Sequence, residues 1–431
     1  MNISRRGLLA GAGAAAVVAS VPAWLLSRRP EAGPLTGRPE HVILVDWDGL
    51  DPDYLGRAPT PNIDALAGRG SLSVADGVYP TISNPSRASM STGAYPEKHG
   101  NAAYFFDDEA GEAVGETRSL AAETITEALA AEGRTTAAVQ WYMVQDHGAS
   151  YGDPEHLYVR PGGLFEQRVD AAVEILNQRP VDSGGALVAV PKIPDFLAVY
   201  GPDLDAFGHL EGPDSPNIGS LVAQLDRQLG RIVQAARDVG IYERTAFILT
   251  SDHGMTGWER SFSEGFVATP GLGRGVELVA AGRSAAPDTE VVVVKSGGRI
   301  MDVTLRGRAR TPERLAEVRG ALVGLPQIGR VLGASDLEAL HASDKLGDFV
   351  VEAREPWGFG LAEPEGGMSR GGHGSTQEGR VPLLISGAGV RTGAASKDAR
   401  LVDVAPTIAA MLGARPPADA QGRVLDELLY G

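Results

Sequence analysis

Five short segments of this chain carry residues that could do chemistry, four with acids or histidines and one with hydroxyls: Asp46-Trp47-Asp48-Gly49, Pro80-Thr81-Ile82-Ser83-Asn84-Pro85, Asp205-Ala206-Phe207-Gly208-His209, Ser251-Asp252-His253-Gly254 and Gly372-His373-Gly374. Zinc takes carboxylate oxygen and imidazole nitrogen in tetrahedral sets, and a catalytic zinc keeps one position open. Asp48, Asp205, Asp252, His209, His253 and His373 would supply three protein ligands to each of two ions. The Ser83 hydroxyl would fill an open position. Asp46 competes with Asp48 in the first segment, and Thr81 competes with Ser83 in the second. Paired ions beside a hydroxyl suit phosphoryl transfer.

These groups need strands and helices to hold them. His41 to Trp47 is a short apolar run ending in acids, as in a buried strand with functional groups at its C-terminal end. Phe196 to Tyr200 reads as a strand that stops just before Asp205, and Thr245 to Thr250 as one leading into Asp252. Thr135 to Trp141 and Val381 to Ser386 are further buried strands. Helical patterns fall at Pro61 to Leu66, Ala121 to Ala131, Ile218 to about Gly240 and Val404 to Leu412. Strands alternating with helices predict an α/β fold, its mostly parallel central sheet covered by helices on both faces. Ligands bind beyond the carboxyl ends of such strands, where three of the five segments lie. Strands at Glu290 to Lys295, Arg299 to Leu305 and Asp348 to Glu352, with a helix at Pro312 to Val323, read as a small inserted α+β cap subdomain at about 285–360.

The chain has 431 residues, 43% hydrophobic and 22% charged, as in a globular protein with a large core. A formal charge of −16 argues against stable nucleic-acid binding, which needs a basic face, but leaves a small phosphorylated substrate open. With no cysteine, disulfides, iron–sulfur clusters and thiolate zinc sites are excluded. Ser4-Arg5-Arg6-Gly7-Leu8-Leu9 precedes an apolar run to about Val21, which reads as a twin-arginine signal with Val21-Pro22-Ala23 as cleavage site. Residues 1–38 are then signal and linker, and 39–429 the catalytic domain. The expected partner is the Tat export machinery, and the destination periplasmic, cell-envelope or extracellular. A retained anchor from Ala10 to Leu26 is the alternative. Oligomeric state leaves no trace in the sequence.

In order and spacing the segments resemble the alkaline phosphatase superfamily, and most closely its type I phosphodiesterase/nucleotide pyrophosphatase branch. The resemblance runs from His41 to about Leu429. It implies one zinc on Asp48, Asp252 and His253, and a second on Asp205, His209 and His373. It selects Ser83 as nucleophile, two residues after the Thr of a Pro-Thr pair; Thr92-Gly93 and Tyr95-Pro96-Glu97-Lys98-His99-Gly100 follow at the family distance. It implies hydrolysis of phosphodiesters or nucleotide pyrophosphates through a phosphoseryl intermediate, with phosphonate or phosphomonoester hydrolysis as alternatives on the same site. Asn101 is the candidate amide for phosphate oxygens, although Tyr104 stands at the offset where the family carries its Asn.

The chemistry holds without the name. A serine hydroxyl is a poor nucleophile until a base or metal takes its proton. Pro85 suits the first turn of a helix, which would set Ser83 at a positive helix end. Ser83-Asn84-Pro85-Ser86-Arg87 with Thr92-Gly93 also matches the sulfatase signature, whose first residue becomes formylglycine; Arg87 is a candidate oxyanion contact in either case. Histidine prefers zinc to the calcium of sulfatases. A non-catalytic metal-binding protein on this fold is the remaining alternative.

Overall fold

The computed structural model describes residues 37–430 apart from 274, 361 and 365–367, so the twin-arginine segment lies outside the described residues. A seven-stranded sheet forms the centre. Across the sheet its strands run Gly70–Asp76, Arg380–Gly387, Thr245–Thr250, His41–Trp47, Phe196–Gly201, Thr136–Val139 and His156–Val159. Only Arg380–Gly387 runs against the others, pairing antiparallel with both its neighbours. His41–Trp47 lies centrally, pairing Asp46 with Thr250 on one side and with Tyr200 on the other.

Alternation along that strand builds the layers. Ile43, Val45 and Trp47 pack on one face with helices Phe165–Leu176 and Ile218–Asp238. Val42 and Leu44 pack on the other with Ile125–Ala131 and Val404–Leu412. Thr124 starts the third of these helices with a capping box to Glu127, so it begins four residues later than its apolar pattern. Several elements were not legible, among them the strands His156–Val159 and Gly70–Asp76 and the helix Phe165–Leu176. Gly70–Asp76 carries polar Ser71 and Ser73 in a sheet-edge strand, and Phe165–Leu176 lacks a side-chain N-cap of the usual type.

A second sheet of five strands runs in the order Val276–Leu278, Val291–Ser296, Ile300–Leu305, Phe349–Ala353 and Ile328–Leu332. Helix Pro312–Val323 covers it, with Val318 and Leu322 in its core. Ile300 and Val350 of this cap share an apolar cluster with Tyr79 and Ile82, the residues leading to Ser83. The second sheet is therefore packed onto the segment that carries the candidate nucleophile.

Candidate active site

The ends of three parallel strands deliver the acids. Asp48 follows His41–Trp47, Asp205 lies in helix Asp203–Glu211 just after Phe196–Gly201, and Asp252 follows Thr245–Thr250. The Asp205 segment is thus helical, placing His209 one turn on. Gly49 lets these loops meet: its φ is +71°, and a Cβ there would lie 3.0 Å from the Asp205 Cα. The Asp205 amide donates to the Asp48 carbonyl at 3.0 Å across that contact.

Each acid of the first set has one oxygen tied by hydrogen bonds and one that makes none. Tyr200 donates its hydroxyl to Asp48 Oδ2 at 2.6 Å. The amides of Gly49 and His253 donate to Asp252 Oδ1 at 3.1 and 3.0 Å. That leaves Asp48 Oδ1 and Asp252 Oδ2 buried without a hydrogen-bond partner, as is Asp205 Oδ1 in the second set. The two oxygens of the first set lie 3.4 and 3.3 Å from His253 Nε2, and Asp252 Oδ2 also lies 3.1 Å from the Arg87 guanidinium. In the second set, Asp205 Oδ1 lies 3.2 Å from His209 Nε2 and 3.6 Å from His373 Nε2.

The three histidines share one arrangement. Each points Nδ1 at a backbone carbonyl: Gly371 for His209 at 3.0 Å, Gly254 for His253 at 2.9 Å, Thr81 for His373 at 2.8 Å. A carbonyl only accepts, so Nδ1 carries the proton and Nε2 faces the carboxylates, the orientation of a metal-ligating imidazole. Orphaned carboxylate oxygens beside oriented imidazoles suit a divalent cation in each set. His253 also lies close to Asp205 and His373, so the two sets adjoin through it. Burial pushes the Asp48 carboxyl up to about 8, with Arg87 opposing and Asp252 adding to the rise. A cation at Asp48 Oδ1 and Asp252 Oδ2 would supply the missing charge.

Ser83 opens helix Ser83–Thr92, whose remaining residues are all buried while Ser83 stays half-exposed. Its Oγ lies 3.3 Å from His253 Nε2. Pro85 sits in the first turn, where its missing N–H costs nothing. Thr81 does not compete for this place. Its hydroxyl donates to the Ser375 carbonyl at 2.8 Å and accepts from the Gly374 amide at 2.9 Å. It neither caps the helix nor faces the set; it ties down the loop that presents His373.

Two candidates, Arg87 and Asn101, sit differently from the sequence reading, while Asp46 stands outside the set in favour of Asp48. Asp46 Oδ2 is taken by Arg87 Nε at 2.6 Å and by the Trp141 indole at 3.2 Å, which leaves Asp48 to join the set. Arg87 is no oxyanion contact. Its guanidinium is wholly buried, with Nη2 3.1 Å from both Asp48 Oδ2 and Asp252 Oδ2 and Nη1 donating to the Tyr142 hydroxyl at 2.8 Å. Burial works against that charge, and Asp252, Asp46 and Asp48 outweigh it, holding the guanidinium ionised. Asn101 is also committed elsewhere: its amide donates to the carbonyls of Thr117 at 2.9 Å and Ser119 at 3.1 Å. A buried loop consumes the donors that a phosphate would need.

Tyr104 instead lines a cavity of about 600 Å³ next to His209, with Trp258, Lys295 and Phe359 among its walls. Trp141 is buried beneath the site against Phe196.

A model of the type I phosphodiesterase / nucleotide pyrophosphatase family matches residues 42–376. Among curated proteins, the chain is 29% identical over 224 residues to the bis(5'-adenosyl)-triphosphatase enpp4 of Xenopus laevis, covering 50% of this chain and 47% of that protein. It is 26% identical over 230 residues to human ectonucleotide pyrophosphatase/phosphodiesterase family member 5, covering 50% and 45%. The chain thus spans about half the length of the curated relatives it matches. The solved human family member 5 superposes with a TM-score of 0.68 at 21% identity, over 91% of this chain and 100% of the other. An inactive murine family member 5, solved in complex with AMP, gives a TM-score of 0.67 at 20% identity, over 90% and 100%. These structures share the fold.

Proposed function

The chain belongs to the type I phosphodiesterase / nucleotide pyrophosphatase family, and from that membership we propose that it is an exported two-zinc hydrolase of phosphodiesters or nucleotide pyrophosphates acting through Ser83. One observation carries the reading. Three imidazoles fixed through Nδ1 turn their Nε2 atoms toward buried carboxylate oxygens that lack hydrogen-bond partners, and one of them, His253, also reaches the partly exposed Ser83 hydroxyl.

Asp48, Asp252 and His253 would hold one zinc, and Asp205, His209 and His373 the other. Zinc bound there would supply Lewis acidity, easing loss of the Ser83 proton and offsetting charge on the phosphate and its leaving oxygen. Ser83 Oγ attacks phosphorus, the bond to the leaving oxygen breaks, and the leaving group departs as an alcohol or phosphate. Water then attacks the phosphoseryl phosphorus, releasing the product and restoring the hydroxyl. Ser83 stands at a helix N-terminus, where the Asn84 amide and the helix dipole favour phosphate oxygens. Arg87 holds Asp46, Asp48 and Asp252 together from below, which keeps the carboxylates oriented before any substrate arrives.

The test is an assay of zinc-loaded protein against a phosphodiester, a phosphomonoester, a phosphonate and a sulfate ester, with quenched turnover and peptide mapping. Phosphate on the Ser83 peptide and fastest cleavage of the diester support the reading. Formylglycine at Ser83 with fastest cleavage of the sulfate ester refutes it. Export rests on Arg5 and Arg6. Replacing both with Lys should retain the protein in the cytoplasm of a bacterial host, and undiminished secretion would disprove the Tat route. Among the described residues no helix is long and apolar enough to cross a membrane.

A further inference from the structure

Lys295 is the next-to-last residue of the cap strand Val291–Ser296. The four valines before it are buried, whereas Lys295 is partly exposed and lines the cavity that also holds His209 and Tyr104. Among the described residues its ammonium makes no hydrogen bond or ion pair, while its backbone pairs with Met301 across the sheet. The other cationic side chain at the cavity, Arg370, spends Nη1 on the Leu210 carbonyl. Glu363 lines the same cavity and is exposed.

The lysine is held in fixed relation to the metal ligands. The hairpin that follows it, Gly297-Gly298-Arg299, is pinned at three points. The Gly297 carbonyl accepts the His373 amide at 2.8 Å, and the Gly298 carbonyl accepts the Phe359 amide at 2.8 Å. The Arg299 guanidinium donates to the carbonyls of Trp357 and Ala353 at 2.6 and 2.9 Å. Gly297 has φ +57°, and a Cβ there would lie 2.2 Å from the His373 carbonyl oxygen. Among the described residues an unpaired ammonium is thus carried just before a pinned turn beside the second ligand set, in a chain of formal charge −16 that otherwise repels anions. Partial burial lowers the Lys295 pKa, so its charge acts in a medium of reduced screening.

We propose that Lys295, together with the Tyr104 hydroxyl in the same cavity, binds a second anionic group of the substrate, a phosphate carried beyond the scissile phosphorus. It is a specificity-determining residue that favours polyanionic esters over simple diesters, and the proposal rests on the phosphoester-hydrolase reading above.

Zinc-loaded wild type, Lys295→Met and Lys295→Arg are titrated calorimetrically with inorganic pyrophosphate and with orthophosphate. The Met variant keeps the aliphatic stem and removes the charge. Its affinity for pyrophosphate should fall about tenfold or more while that for orthophosphate changes far less, and Arg should restore most of the loss. In parallel, the ratio of kcat/KM for a dinucleoside polyphosphate to that for bis(p-nitrophenyl) phosphate should fall about tenfold in the Met variant. Equal weakening of both anions, or unchanged pyrophosphate affinity, overturns the role of Lys295. If wild type cleaves none of the phosphate esters yet pyrophosphate affinity still depends on Lys295, the hydrolase reading fails and the anion subsite stands.

Discussion

His209 and His373 face each other through their Nε2 atoms at 3.2 Å, each with its Nδ1 proton already given to a backbone carbonyl. Two neutral rings so placed would set lone pair against lone pair. A proton relieves this: the adjoining Asp205 carboxylate outweighs burial and brings His209 up to about 9, while burial and the neighbouring His253 drive His373 well below its ordinary value. A cation between the rings would serve the same purpose and release that proton.

Metal content should follow the ligand sets. Purified protein should carry two zinc ions and lose activity to chelators. His209→Ala or His373→Ala should remove one ion and most activity, since an open zinc site depends on every ligand. Elemental analysis checks this, and a single calcium with no zinc would reject it.

Ser83 and Thr81 should separate cleanly. Ser83→Ala should lower kcat by several orders of magnitude with zinc nearly intact, because all six carboxylate and imidazole ligands remain. Thr81→Val removes a hydroxyl that bridges the Ser375 carbonyl and the Gly374 amide. It should cost about 1–3 kcal/mol of stability and weaken zinc retention at His373, with the remaining loaded enzyme still active. Labelled phosphate on the Thr81 peptide would reverse the assignment.

Arg87→Met leaves three buried carboxylates without their shared counter-charge. The metal-free variant should lose about 3–5 kcal/mol in denaturant unfolding, the cost of stranding a buried charge. Added zinc should recover part of it by neutralising Asp48 and Asp252. A metal-free variant as stable as wild type would show that the guanidinium is dispensable.

The cap carries its own pH dependence. Asp302 is wholly enclosed, and burial pushes its carboxyl up to about 7 against the hydrogen bonds from Gly347 and Thr304. Between the unfolded value, 3.8, and that point the folded chain keeps a proton that the unfolded chain has lost. Its contribution is therefore fully present at acid pH and is lost as pH rises through about 7. Asp302→Asn removes the titration, so it should gain on wild type by on the order of 3 kcal/mol between pH 4.5 and pH 8. Urea unfolding at the two pH values checks this; an equal difference at both would refute it.

The central sheet was legible because apolar runs such as His41–Trp47 and Thr245–Thr250 read as buried strands, and each leads into an acid of the candidate set. Gly70–Asp76 was not, since an edge strand with serines shows no apolar run. Asn101 and Arg87 failed for one reason: a sequence position says that a donor is near, and only packing says whether its hydrogen atoms are already spent. Tyr200 was missed because a strand-end tyrosine reads as core until its hydroxyl is seen on Asp48. Lys295 likewise read as the end of a strand, for nothing in its neighbours shows that the hairpin turns it toward His209.

The Gly297 contact has a consequence for how such enzymes are altered. The Gly297 carbonyl of the second sheet accepts the His373 amide directly, so swinging that sheet aside would drag the His373 loop with it. Anyone grafting a foreign cap onto this scaffold must carry over the two-glycine hairpin as part of the metal centre. New specificity is then reached by changing what the walls display, and not by changing how they move.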